Sequence, residues 1–183
     1  MNPATLQRWL DEVLATSAQQ WLLRLLAVVA PCVALIAAGV ASGRWWPVWT
    51  VVVVGLAAAS AIRPDAHTGL LVPLIVGWLW LVAVDDPGTP WLAGAAVCLL
   101  TFHAVLALLA SLPVGGAFPV AILVRELGRV GVVAVATFAM WGLVVVLDRR
   151  DAAGDGLLTG LALAIVTGAA VVIRRISLAP ADR

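Results

Sequence analysis

Six long apolar runs separated by short polar breaks constrain this chain more than any other feature. They cover residues 22–42, 47–62, 68–84, 91–112, 130–147 and 157–173. A helix needs about 20 apolar residues to cross a hydrocarbon core roughly 30 Å thick. Most runs approach that length. The second, third and sixth are short, and two of them forming a re-entrant pair is the alternative to full crossing. The breaks carry turn residues and charge: Ser42-Gly43-Arg44, Arg63-Pro64-Asp65, Asp85-Asp86-Pro87-Gly88, Pro113-Val114-Gly115-Gly116, and residues 148–156. The expected fold is an all-α integral membrane protein, a single bundle of about six transmembrane helices.

The charge content agrees with that expectation. Only 11% of the 183 residues are charged, 63% are hydrophobic, and the mean hydropathy is +1.09. Soluble domains carry nearer about one quarter charged residues, because their surface must be solvated by water. The lipid bilayer is therefore the first expected partner. A formal net charge of +1 lacks the clustered basic surface of a nucleic-acid binder, so no nucleic-acid partner is expected.

Residues 1–21 differ from the rest. Asn2 and Pro3 suit a helix start. Leu6, Trp9, Leu10, Val13, Leu14, Ser17 and Trp21 then recur on one helical face, with Gln7, Arg8, Asp11, Glu12 and Gln19 on the other. This pattern predicts an amphipathic N-terminal helix lying in the membrane interface. A removable leader is the competing reading of the first run, with Gly39-Val40-Ala41 as its cleavage site. Its leading region would be about twenty residues long, amphipathic and partly acidic, which fits a leader poorly.

Arginine placement predicts orientation. With six spans, Arg8, Arg24, Arg63, Arg125, Arg129, Arg174, Arg175 and Arg183 share one side, and Arg44, Arg149 and Arg150 the other. The excess marks the cytoplasmic side, so both termini, including the tail 174–183, are expected in the cytoplasm of a cell whose inner membrane holds the chain. Tryptophan agrees: Trp45, Trp46, Trp49 and Trp91 flank the opposite loops, and Trp78, Trp80 and Trp141 fall in the outer halves of their spans. Indoles favour the interface.

Polar residues inside or beside the spans are the candidate sites. His103 lies near the middle of the run 91–112, where an ionisable group is costly. It is either part of a translocation path or a neutral imidazole bonded to a neighbouring helix, near Thr101 or Thr137. Arg125 and Arg129, four apart, share a helical face with Glu126 beside them. The group is a contact for a partner or for anionic headgroups, or a plain positive-side anchor with a local salt bridge. In the Arg63–His67 hairpin, Arg63 and Asp65 suit a pair with the His67 imidazole close by, while turn chemistry alone also explains Pro64 and Asp65. Asp85 and Asp86 are too few for a good calcium site. Gly156, Gly160, Ala164 and Gly168 recur every four residues, and Gly39 and Gly43 repeat the spacing. Such stripes let a second helix approach closely, whether within the chain or on another membrane protein.

Phosphate-binding, zinc-protease and nucleophile-elbow motifs are missing, and no carboxylate lies deep in a predicted span. Cys32 and Cys98 both sit in apolar runs, with no metal-ligand spacing around them. No catalytic residue, cofactor or metal is expected, and the chain reads as non-enzymatic.

The stretches Arg63-Pro64-Asp65-Ala66-His67-Thr68-Gly69-Leu70 and Val84-Asp85-Asp86-Pro87-Gly88-Thr89-Pro90-Trp91 resemble small uncharacterised membrane proteins of high-GC actinobacteria. The resemblance covers roughly residues 63 to 112, including His103. It implies a polytopic membrane protein without an established activity, and it carries over no site residue. The leading expectation is a subunit or scaffold of a membrane complex. A small channel or transporter using His103 is the alternative.

Overall fold

Residues with a restricted or permissive backbone set most of the helix ends. Ser17 accepts a hydrogen bond from the Gln20 amide (3.3 Å) and starts helix α1, Ala18–Ser42. Gly43, at φ 64°, ends it. Pro47 and Pro90 open α2, Pro47–Ile62, and α4, Pro90–Ala110, where the missing N–H has no intrahelical role. Helix α3 is Thr68–Ala83, α5 is Val120–Asp148 and α6 is Gly156–Leu178. The computed structural model describes residues 17–64, 67–86, 88–111, 119–148 and 156–178, and among these every regular element is an α-helix.

Helices α1, α4, α5 and α6 are long and apolar enough to cross a membrane. Helices α2 and α3 have 16 residues each, about 24 Å of rise, which is less than a hydrocarbon core of roughly 30 Å.

Several helix ends differ from the apolar runs. Helix α1 begins at Ala18, so residues 18–21 belong to it; the rest of the predicted amphipathic segment, residues 1–16, lies outside the described residues. Helix α5 begins ten residues before the run 130–147. Arg125, Glu126 and Arg129 interrupt hydropathy there, but Arg, Glu and Leu are good helix formers, and the helix runs through them. Likewise α6 continues through Arg174 and Arg175 to Leu178. Residues 174–178 are thus helical, and the remainder of the predicted tail lies outside the described residues.

Packing reverses the pattern of a soluble protein. In α1 the buried face is mostly small, Ala27, Ala30, Ala34, Ala37, Ala38 and Gly39, joined by Gln20, Pro31 and Leu35. Its outward face carries Leu22, Leu25, Val29, Val33, Ile36 and Val40. Burying alanine while exposing leucine makes sense only where the surroundings are as apolar as the core. Small inner faces bring backbones close, which is how helices associate in lipid. The outward side chains are those of a membrane-embedded protein.

Helix α1 packs most extensively on α4, with α2 and α3 completing a four-helix unit. Phe102 on α4 is the largest fully buried side chain, and Val53, Val72 and Val76 are also sealed from solvent. Ser60 and Thr68 link α2 to α3 through their hydroxyls (3.2 Å). Helix α5 touches α4 and α6, while among the described helices α6 touches only α5. No described side chain of α5 or α6 is buried.

The ends of the bundle differ in chemistry. The Trp141 indole N–H donates to the Gly88 carbonyl (3.1 Å), so the C-terminal half of α5 lies beside the α3–α4 turn. Trp45, Trp49, Trp78 and Trp91 are exposed toward this end. Arg24, Arg63, Arg125, Arg129, Arg174 and Arg175 occupy the helix ends that gather opposite.

The left-handed cap at Gly43 gives the first prediction. Gly43→Ala places a Cβ in a conformation costing L-residues roughly 1–2 kcal/mol, whereas Gly43→Asn, which tolerates it, loses less. Thermal unfolding in mild detergent should rank the variants in that order.

Candidate functional site

The densest polar arrangement forms where the start of α5 meets the end of α6. Arg125 and Arg129 share one face of α5 because four residues make about one turn. Arg129 pairs with Glu126 through one terminal nitrogen. Its other terminal nitrogen donates to Ser177 Oγ on α6 (2.7 Å). Ser177 in turn donates to the Ile173 carbonyl (2.9 Å). The guanidinium is planar and presents its donors in a fixed fork, so a single side chain ties two helices together. Glu126 offsets the charge of Arg129, and no carboxylate pairs with Arg125, Arg174 or Arg175 among the described residues. The Nε atoms of Arg125 and Arg129 are shielded from solvent without a hydrogen-bond partner.

Of the sequence-derived candidates, the structure thus brings Arg125, Glu126 and Arg129 together. It adds Ser177, which sequence reasoning missed because the bond spans 48 positions and a serine beside an arginine pair carries no distinguishing pattern. His103 stands apart, exposed on α4. Neither threonine suggested as its neighbour serves it. Thr101 donates to the Val97 carbonyl (2.8 Å) and Thr137 to the Val133 carbonyl (2.9 Å), as helical threonines do when no better acceptor is near. No hydrogen bond to the imidazole occurs among the described residues.

The remaining candidates take structural positions. Asp86 Oδ1 accepts the Gly88 amide (2.8 Å), a self-closing turn of the kind Asp favours, and Asp85 is exposed. Arg63 and His67 are exposed, while their predicted neighbour Asp65 lies outside the described residues. Gly160, Ala164 and Gly168 are exposed along α6, and the space a Cβ would take at Gly160 and Gly168 is open. Arg24 lies over the Trp21 ring at 5.5 Å, an amphipathic pair suited to an interface. Among the described residues no three His, Cys, Asp or Glu side chains converge on a common point.

Comparison with known families, characterised proteins and solved structures finds no match for this chain.

A second prediction follows from the Arg129–Ser177 bond. In a double-mutant cycle, Arg129→Gln and Ser177→Ala should show a coupling energy on the order of 1 kcal/mol. Unfolding in detergent measures it. Strict additivity would mean that the bond adds nothing to the α5–α6 contact.

Proposed function

We propose that the chain is a non-enzymatic subunit or scaffold of a membrane complex, with the α5–α6 hairpin as its docking arm. The reading rests on one observation. Helix α6 has a single helical neighbour among the described elements, and it leaves Gly160, Ala164 and Gly168 exposed, the last two along an open groove beside α5. A face of small residues is costly to leave against disordered acyl chains when another helix can approach it closely. The fitting partner is a transmembrane helix of another membrane protein. Exposure of His103 on α4, with no polar partner among the described residues, lends no support to a translocation path.

The same reading includes the topology. All six helices cross, with α2 and α3 accommodated by local thinning or by flanking side chains. The arginine-rich end faces the cytoplasm, and the resemblance to actinobacterial proteins points to a cell membrane.

Site-specific crosslinking in intact membranes tests the proposal. Single cysteines at Gly160, Ala164 or Gly168, in a Cys32→Ala/Cys98→Ala background, should yield discrete crosslinked species. Cysteines at Leu25 or Ile36 should yield none. A chain that stays monomeric and partnerless at every position refutes the subunit reading.

A further inference from the structure

A second surface of the hairpin points to a different occupant. A cavity of about 710 Å³ lies between α4, α5 and α6, on the flank of α6 away from Gly160, Ala164 and Gly168. Ala96, Val133, Ala136, Met140, Ala170 and Ile173 line it. The wall includes two side chains with polar hydrogens, Thr137 and Trp141. Both are spoken for, by the Val133 and Gly88 carbonyls. With no free donor in its lining, the cavity suits hydrocarbon.

Helical register carries each wall toward the arginine-rich end. On α5, Arg129 precedes Val133 by four residues and Ala136 by seven. On α6, Ser177 follows Ile173 by four and Ala170 by seven, and on α4 His103 follows Ala96 by seven. Residues at these spacings share a helix face. All three apolar walls therefore continue into polar residues, and the bond from Arg129 to Ser177 (2.7 Å) joins two of them. Arg125 lies one turn further along α5, where no carboxylate neutralises it among the described residues.

We propose that this cleft binds an anionic phospholipid, its acyl chain between α4, α5 and α6 and its phosphate at the Arg125–Arg129 end. The lining favours a lipid chain: it offers no free donor, and its apolar walls run on to arginine. An acyl chain conforms to an irregular apolar wall. Charge decides the headgroup: Glu126 balances Arg129, and the surplus of Arg125, Arg174 and Arg175 attracts an anion. The inference requires only that the protein lies in lipid, and it stands apart from the subunit reading.

The test uses the full-length chain in mild detergent, with bound lipid counted by native mass spectrometry. Palmitoyl-oleoyl phosphatidylglycerol should bind about tenfold more tightly than phosphatidylcholine with the same chains, the factor expected from one charge-assisted hydrogen bond. Ala170→Trp, which fills the cleft, and Arg125→Gln, which leaves the Ser177 link intact, should each weaken phosphatidylglycerol by roughly tenfold. Ala164→Trp, on the other flank, should bind it as the unaltered chain does. Equal affinity for the two lipids, or full retention in Arg125→Gln, overturns the proposal. So does displacement by inorganic phosphate, because the site would then recognise the anion without the chain. A partnerless monomer that still prefers phosphatidylglycerol leaves this inference standing while removing the subunit reading.

Discussion

No water reaches the middle of a bilayer, so every peptide group there must find its partner within its own helix. That constraint orders the rest of the structure. Side-chain hydroxyls obey it too: Thr50, Ser60, Thr101, Thr137 and Ser177 each donate to a carbonyl four residues earlier. Once hydrogen bonding is satisfied locally, helices have little reason to associate except close packing. The alanine face of α1 answers that need, with α4 as its main partner. On α1 most of the large aliphatic side chains are then left for the outside, where they lose nothing.

Hydropathy located the helices but not all of their ends. The ends at Ser42, Ile62 and Ala83 fall on or beside the breaks because Gly43, Arg63-Pro64 and Asp85-Asp86 stop the apolar run and the helix together. At Arg125 and Arg174 the two signals separate. Arginine is poor in hydropathy and good in helix propensity, so a reading based on apolar length stops too soon at both places. The alanine spacing of α1, three and four residues from Ala27 to Ala38, was present in the sequence. Alanine is common in any helix, so its spacing marks a contact less sharply than glycine's does. Ser177 is different in kind: no local pattern joins it to Arg129, and only tertiary packing brings the two together.

Three members of the small-residue stripe, Gly160, Ala164 and Gly168, are exposed on α6. Gly156, Gly160, Ala164 and Gly168 carry the spacing of a helix contact, and Ala164 and Gly168 border a groove between α6 and α5. Gly128 of α5 approaches Ile176 of α6, where a Cβ would come within 3.9 Å. Within the four-helix unit many small residues are buried, among them Ala27, Ala34 and Ala57. In the hairpin they are on view.

This contrast bears on how firmly the hairpin is held. The four-helix unit rests on buried packing from α1 to α4, including Phe102 and the valines around it. The hairpin has no buried side chain among those described. Two long-range hydrogen bonds anchor it, from Trp141 to Gly88 toward one end and from Arg129 to Ser177 toward the other. The first binds α5 to the rest of the protein, while the second binds only α5 to α6. Each bond contributes on the order of 1 kcal/mol, small beside the dispersion energy of a close-packed interface. The tilt of α6 is therefore set less by the chain itself than by whatever fills its two flanks. A helix against one flank and a lipid chain in the other would each supply contact that the protein alone does not provide.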